Sequence, residues 1–323
     1  MHLVRHLADM PSEAHSKGAV VTIGSFDGLH LGHQELLGRV LEKARANGQL
    51  SVVMSFEPTP REFFAAGRPP ARLMRFREKF EALEAAGVDI FYCPRFSAAM
   101  REIPAVDFVR RILVHGLNAR SLVIGDDFRF ARKREGDYAV LQYLGRVLDF
   151  EVAQVPGLFL GEQRVSSTAI RQACAAGDMA LATKLLGRPY KMSGKVVRGE
   201  RVGRTLGFPT ANVDLRRRQC ALSGVFAVRV HGLGSGARDG VASVGSRPTF
   251  NGSKPLLEVF LFDFDDDIYG EYISVEFIAQ LREQEKYAQV AELVAQMRID
   301  ADNARSILSA DRVLTEQERT LDS

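Results

Sequence analysis

The sequence predicts two domains of different class: an α/β domain on a parallel sheet over residues 1–186, then a small β-barrel with a C-terminal helix over residues 187–323. Three observations carry this. Apolar strands alternate with amphipathic helices in the first half. After Leu186-Gly187-Arg188-Pro189 the strands follow one another without helices between them. A single helical stripe closes the chain. A length of 323 residues also suits two domains of roughly 100–200 residues each.

Each element has its own signal. Ala19–Ile23 is an unbroken apolar run that enters the loop Gly24-Ser25-Phe26-Asp27-Gly28. Leu36, Leu37, Val40, Leu41 and Ala44 then recur at helical spacing, and Asn47-Gly48 ends the helix. Ser51–Phe56 is the next strand, ended by Pro58 and Pro60. Phe76, Phe80 and Leu83 stripe a helix that stops at Gly87, and Val88–Cys93 is a strand. Val106, Val109, Ile112 and Leu113 mark another helix, which stops at Gly116. Leu122–Gly125 and Phe150–Val155 complete the predicted sheet. In the second half the strands are Met192–Val197, Val225–Val230, Val241–Val244, Leu256–Leu261 and Ile273–Phe277. Val290, Leu293, Val294, Met297, Ala301, Ala304 and Leu308 predict a helix from about Glu285 to Leu308 with one face on the barrel, and fraying after Asp311.

Composition narrows the function. Hydrophobic residues make up 46% and charged residues 26%, as in soluble globular chains. Lys+Arg 43 against Asp+Glu 40 leaves +3, too balanced for a nucleic-acid or membrane-surface protein. No apolar run approaches the ~18 residues of a membrane span, and MHLVRHLADM lacks the apolar core of a secretory leader. Cys93, Cys174 and Cys220 are odd in number and scattered, which suits neither a disulfide framework nor a zinc site and points to the cytoplasm. The run Arg216-Arg217-Arg218 reads as a solvated loop. The sequence specifies no oligomeric state.

Two stretches carry chemistry. In Gly24-Ser25-Phe26-Asp27-Gly28-Leu29-His30-Leu31-Gly32-His33 a strand passes through glycines into a helix, whose first N–H groups and dipole suit a phosphate. His30 and His33, three apart, face the same way and can donate to a triphosphate and to charge built up in phosphoryl transfer. The alternative is a strand–helix turn with two surface histidines. In Gly203-Arg204-Thr205-Leu206-Gly207-Phe208-Pro209-Thr210-Ala211-Asn212, glycines flank a proline turn. Backbone N–H groups there can wrap phosphates. Thr210 and Asn212 project to one side of an extended segment, and their neutral oxygens suit Mg²⁺ that also takes phosphate oxygens. The alternative is a structural β-turn.

The first stretch resembles the signature of the nucleotidyltransferase superfamily with the H-x-G-H motif. Val165-Ser166-Ser167-Thr168-Ala169-Ile170-Arg171 resembles its second element, ISSTxIR; Ser166 or Ser167 can cap a helix there while Arg171 grips outer phosphates. The segments Phe56–Phe64 and Gly125-Asp126-Asp127-Phe128-Arg129-Phe130 are similar to parts of bacterial bifunctional riboflavin kinase/FMN adenylyltransferases. Thr59 stands where members often have His. The GRTLGFPTAN run is similar to the riboflavin kinase signature, and the stretches 223–230, 244–250, 257–264, 267–270 and 281–287 follow in the family's order. Ser243 stands where many members have Asn.

This resemblance implies a Rossmann-like nucleotidyltransferase domain and a six-stranded riboflavin kinase-like barrel. It implies ATP as co-substrate, riboflavin and FMN as substrates, FMN and FAD as products, and Mg²⁺. Glu258 maps onto the family's catalytic base, which would accept a proton from a primary alcohol. His30 and His33 map onto stabilisers of the α-phosphate. Gly24, Phe26, Asp27, Gly32, Ser166, Ser167, Thr168 and Arg171 map onto the first ATP site, where Asp27 either fixes the loop or approaches the metal. Asp126, Asp127 and Phe128 map onto a flavin contact. Gly203, Arg204, Gly207, Pro209 and Thr210 map onto the second ATP site, Thr210 and Asn212 onto metal binding, and Arg282 onto a flavin or phosphate contact. The rival reading is a flavin- or nucleotide-responsive regulator; the His pair, Arg171 and Glu258 weigh against it, because binding alone requires no base.

Overall fold

The computed structural model describes the chain except at residues 66, 68, 200–202, 204, 205, 235, 250, 251, 322 and 323; at 247–249, 252–254 and 314–321 it describes the backbone alone. Backbone packing divides the chain into two compact units. One comprises Met1–Pro70 and Met74–Ser166; the other comprises Ala71–Leu73 and Ser167–Ser323. This division falls ahead of Leu186.

In the first unit, β1 (His2–Val4), β2 (Ala19–Ile23), β3 (Leu50–Met54), β4 (Ile90–Tyr92), β5 (Ala119–Gly125) and β6 (Glu151–Val155) form one sheet in the order β1-β4-β3-β2-β5-β6. Every neighbouring pair is parallel. Residues of β2 alternate between two cores: Ala19, Val21 and Ile23 join one, and Val20 joins the other. The first core receives Phe108, Val109, Ile112, Leu113, Leu141 and Leu144. The second receives Leu36, Leu37, Val40 and Ala44 of the helix Leu31–Ala46, with Leu83 of Phe76–Ala85. Helices therefore cover both faces, as the strand–helix alternation requires. The predicted helix around residue 109 is present, but Phe108–Val114 winds as a π-helix. Successive strands after β2 are added on one side of it, whereas β5 and β6 lie on the other. The sheet thus has a switch point between β2 and β5, and the crevice beyond their C-terminal ends is where such sheets bind ligands. Past β6 a short hairpin pairs β7 (Phe159–Leu160) with β8 (Gln163–Arg164).

The second unit holds a closed six-stranded barrel. Its strands are β9 (Tyr190–Val197), β10 (Thr210–Asp214), β11 (Gly224–His231), β12 (Arg238–Thr249), β13 (Gly252–Leu261) and β14 (Tyr272–Arg282), in the order β10-β13-β12-β11-β14-β9. All pairs are antiparallel. The inward faces carry Met192, Val196, Phe226, Val228, Val244, Leu257, Val259, Ile273, Val275 and Phe277, all buried. Two helices, Ser167–Ala175 and Met179–Leu186, belong to this unit.

Two sequence expectations are corrected here. The C-terminal helix runs from Val290 to Leu321 rather than from about Glu285 to Leu308. Its Ala304 and Leu308 pack on Ala227 and Phe262. Arg229 donates to Asp311 Oδ2 at 2.6 Å and to Leu308 O at 3.1 Å, and Arg312 pairs with Asp239 at 2.8 Å. Those ties secure the helix as far as Arg312, where the predicted fraying begins. Arg217, read as part of a solvated triplet, is only 8% exposed. Its Nη1 donates to Arg72 O at 2.6 Å and to Leu73 O at 3.3 Å, so backbone carbonyls replace water around it.

Candidate active sites

The first site begins where β2 ends. Phe26 adopts φ 48°, Gly28 φ 89° and Leu29 φ 44°, so the chain turns sharply before His30. A Cβ at Gly24 would lie 3.1 Å from the Phe26 ring, close enough that the ring would have to shift by a few tenths of an ångström. His30 caps the helix Leu31–Ala46: its Nδ1 accepts from His33 N–H at 3.3 Å, and its carbonyl accepts from His33 and Gln34 at 2.8 and 3.0 Å. Since Nδ1 accepts, the ring proton of neutral His30 sits on Nε2, where it can serve an anion. Leu31 and Gly32 occupy the two positions before His33, whose N–H groups an α-helix leaves to outside acceptors.

His30 and His33 stack at 3.6 Å between ring centroids with 18° between planes, and Phe26 packs against His33 at 5.0 Å. Burial first, then His30 and Lys79, holds the His33 imidazole well below the ordinary histidine range, so it is neutral near pH 7. Among the described residues His33 Nδ1 is buried and lacks a hydrogen-bond partner, an unsatisfied group of the kind that ligand sites retain. Asp27, 7% exposed, accepts from Met74 N–H at 2.9 Å and thereby fixes the loop. Lys79, also buried, was not singled out by sequence; a lone lysine in a helix stripe gave no signal.

Asp126, Asp127 and Phe128 follow β5, on the other side of the switch point from the histidine loop. Asp126 accepts from Gly157 N–H at 2.9 Å and from Arg164 Nη2 at 2.5 Å, which ties the β7–β8 hairpin to this loop. Asp127 is largely exposed, 3.8 Å from the same guanidinium. Phe128 stacks on Phe130 at 5.6 Å. Thr59 caps Pro60–Phe64: its Oγ1 accepts from Glu62 N–H and its N–H donates to Glu62 Oε2 at 2.9 Å. Ser166 closes the first unit, whereas Ser167, Thr168 and Arg171 lie on the helix Ser167–Ala175 of the second. Arg171 Nε donates to Ala71 O at 2.6 Å.

The second site is set by strand register. Asn212 of β10 stands directly opposite Glu258 of β13, and Glu258 stands opposite Ser243 of β12. Directly opposed residues share a face, and Thr210 shares it by the two-residue period. The row continues through Val225 of β11 to Arg282 of β14. The inward residues flanking Glu258, Leu257 and Val259, are fully buried, which leaves Glu258 on the outer face. Gly199 lies under Asn212: a Cβ there would come within 2.3 Å of Nδ2. Gly203 O accepts from Leu206 and Phe208 N–H at 3.1 and 2.8 Å and closes the turn before Pro209; Gly207 has φ 84°. Arg204 lies outside the described residues.

The neutral oxygens of Thr210 and Asn212 on one face form a hard donor pair that fits Mg²⁺ taking its other oxygens from phosphate and water, with the Glu258 carboxylate beside it. Ser243 Oγ accepts from Gln284 Nε2 at 2.9 Å. Arg282 spends its Nε and Nη2 on Asp300, at 2.8–3.1 Å, and its Nη1 on Glu283 O at 3.0 Å. The guanidinium thereby secures the C-terminal helix.

Comparison with known proteins follows the same division. The FAD synthetase family model matches residues 12–169 and the riboflavin kinase family model matches residues 186–308. A bifunctional riboflavin kinase/FMN adenylyltransferase of Escherichia coli K12 is 44% identical over 305 residues, covering 94% of this chain and 97% of that protein. Proteins of the same description from Haemophilus influenzae and Pseudomonas fluorescens are 42% and 43% identical, over 91% and 95% of this chain and 96% and 98% of theirs. A solved structure from Streptococcus pneumoniae, described as a macrolide-efflux protein, aligns with a TM-score of 0.79 at 32% identity, covering 94% of this chain and 98% of that one. Among the described residues no helix is long and apolar enough to cross a membrane. With both halves matched and nearly the full length aligned, this chain belongs to the bifunctional riboflavin kinase/FMN adenylyltransferase family.

Proposed function

We propose that the chain makes both flavin nucleotides, one step in each half. Residues 187–323 phosphorylate riboflavin with ATP to FMN and ADP. Residues 1–186 adenylylate FMN with a second ATP to FAD and pyrophosphate. The observation that supports this best is the facing pair Asn212 and Glu258: a carboxylate lies across one strand gap from a metal-competent Thr-x-Asn. The stacked His30 and His33 at a helix N-terminus support the second reaction.

In the kinase step Glu258 takes the proton of the terminal ribityl hydroxyl as that oxygen bonds to the γ-phosphorus of ATP. The bond to the β–γ bridging oxygen breaks and ADP leaves. Thr210 and Asn212 would hold Mg²⁺, which when bound supplies charge neutralisation at the phosphates. Gly203, Arg204, Gly207 and Pro209 wrap the phosphate chain. In the adenylyl step a phosphate oxygen of FMN attacks the α-phosphorus in line and pyrophosphate departs. His30 Nε2–H and His33 donate to the α-phosphate oxygens as charge grows there. Gly24, Phe26 and Gly32 line the nucleotide site, with Asp27 fixing the loop. Ser166, Ser167, Thr168 and Arg171 hold the leaving group. Asp126, Asp127 and Phe128 form the flavin side. The cytoplasm is the compartment we assign, in keeping with three cysteines that form no disulfide among the described residues.

Incubation with riboflavin and MgATP tests the reading. Chromatography is expected to show FMN and then FAD; unchanged riboflavin would refute it in favour of a binding protein. His30→Ala should lower FAD formation from supplied FMN by at least ~10²-fold and leave riboflavin phosphorylation near normal. Glu258→Ala should do the reverse. Loss of both reactions from either substitution in a folded chain rejects one step per half.

A further inference from the structure

Sequence offers Arg282 as the flavin or phosphate contact of the kinase half, and the structure turns that guanidinium to Asp300 and to Glu283 O instead. The side chain that reaches the reacting face is Gln284, two residues further on. Its Nε2 donates to Ser243 Oγ at 2.9 Å. Ser243 stands directly opposite Glu258, so the carboxamide lies on the face that carries Glu258 and Asn212. Gly245, two residues along β12 on that same face, leaves the carboxamide its seat: a Cβ there would come within 2.5 Å of Oε1 and 2.7 Å of Nε2. The group therefore rests on Gly245 and is tied to Ser243. All of these residues lie in the second unit. Gln284 is exposed, and among the described residues nothing donates to its Oε1. A neutral carboxamide oxygen accepts from a hydroxyl and brings no charge beside the phosphates.

We propose that Gln284 is a substrate-specificity residue of riboflavin phosphorylation: its Oε1 accepts a hydrogen bond from the ribityl hydroxyl next to the terminal one. The inference rests on the reading that Glu258 takes the proton of the terminal hydroxyl. Opposed residues on neighbouring antiparallel strands stand about 5 Å apart. A polyol chain laid across Ser243 toward Glu258 therefore presents its end to the carboxylate and its preceding hydroxyl to the carboxamide. That hydrogen bond fixes the last torsion of the chain and so aims the attacking oxygen. A flavin whose side chain lacks this hydroxyl leaves Oε1 to water and its own terminal carbon free to turn. Ser243 is the positioning residue, holding the plane of the Gln284 amide.

The test uses the full chain with Gln284→Ala, Ser243→Ala and Glu258→Ala, and two substrates offered with MgATP: riboflavin, and 4′-deoxyriboflavin, which lacks the hydroxyl in question. The kcat/KM for phosphorylation is measured on each, with thermal midpoints as the check on folding. The parent is expected to prefer riboflavin about 10-fold. Gln284→Ala should lower kcat/KM for riboflavin about 10-fold and leave that for the deoxy analogue within about twofold, so that the preference disappears. Ser243→Ala keeps the carboxamide but not its tie and should reduce the preference about threefold; it decides the matter should Gln284→Ala fail to fold. No preference in the parent, a preference that survives Gln284→Ala, or an equal loss on both substrates overturns the inference. If Glu258→Ala phosphorylates riboflavin at the parental rate, the role of Glu258 and this inference fall together. If Glu258→Ala is inactive while Gln284→Ala and Ser243→Ala keep the parental preference, only the inference falls.

Discussion

At the residue scale, His33 combines two demands that rarely coexist in one imidazole: it is packed against Phe26 and His30, yet in the proposed reaction it serves as a polar partner for a phosphate. Burial resolves this by keeping the ring neutral. A consequence for stability follows. Above about pH 6.5, the ordinary histidine value, His33 is neutral in both folded and unfolded chains and contributes no pH dependence. Below it the unfolded chain takes up a proton that the folded site refuses, so stability falls as pH falls, by up to about 1.4 kcal/mol per pH unit. His33→Asn removes this term. Denaturation of the first unit at pH 7.5 and 5.5 should therefore show a smaller acid loss in the variant than in the parent; equal losses would mean that the folded ring protonates normally. The two histidines were legible in sequence because H-x-G-H places them one helical turn apart after a glycine loop. The tautomer of His30 was not, since it depends on a hydrogen bond to His33 N–H that only the cap geometry creates. Nor was the commitment of Arg282 to Asp300, a contact between residues on separate elements.

At the element scale, the turn between the helices Ser167–Ala175 and Met179–Leu186 is fixed by Gly177, at φ 73°. Its missing side chain leaves room for Gln280 of β14, whose Oε1 would lie 1.6 Å from an added Cβ. Gln280 Nε2 in turn donates to Ser223 O at 3.1 Å. Gly177→Ala should therefore cost about 1–2 kcal/mol for the left-handed backbone, plus about 1 kcal/mol for the displaced hydrogen bond. In a Gln280→Ala background the same substitution should cost only the backbone part. Equal costs in both backgrounds, from denaturant titration, would show that Gln280 makes way freely. The first of these helices was read only through the capping serines Ser166 and Ser167, and the second was not read at all: both are short, and their buried residues meet strands far along the chain. The strand β10 was read only as an extended segment, because Thr210 and Asn212 are spent on its outer face. β2 and β13 were plain in sequence, the one as an unbroken apolar run, the other by alternating about Glu258. The π-turn at Phe108–Val114 leaves the apolar spacing nearly helical, so periodicity could not distinguish it.

At the scale of the whole molecule, the question is where the chain can be cut. The change from helix–strand alternation to strands alone places the boundary at Leu186, and the riboflavin kinase model begins at residue 186. Packing tells against a clean cut there. Met179, Ala182, Leu185 and Leu186 of the preceding helix are buried, and that helix contacts β9 and β14. Ending the chain at Leu186 strips those side chains of their partners, and each fully buried side chain of the size of leucine or methionine is worth roughly 1.5–3 kcal/mol. A fragment of residues 1–186 should consequently bind an apolar dye more strongly and melt lower than the parallel-sheet unit does within the full chain. A fragment ending at Ala175 removes that uncovered helix and should bind less dye. The point substitutions His30→Ala and Glu258→Ala leave this packing intact and so separate the two reactions more cleanly than truncation can. If the 1–186 fragment matched the full chain in both dye binding and melting, the helix Met179–Leu186 would be carried by its own neighbours in sequence, and the barrel would not be needed to support it.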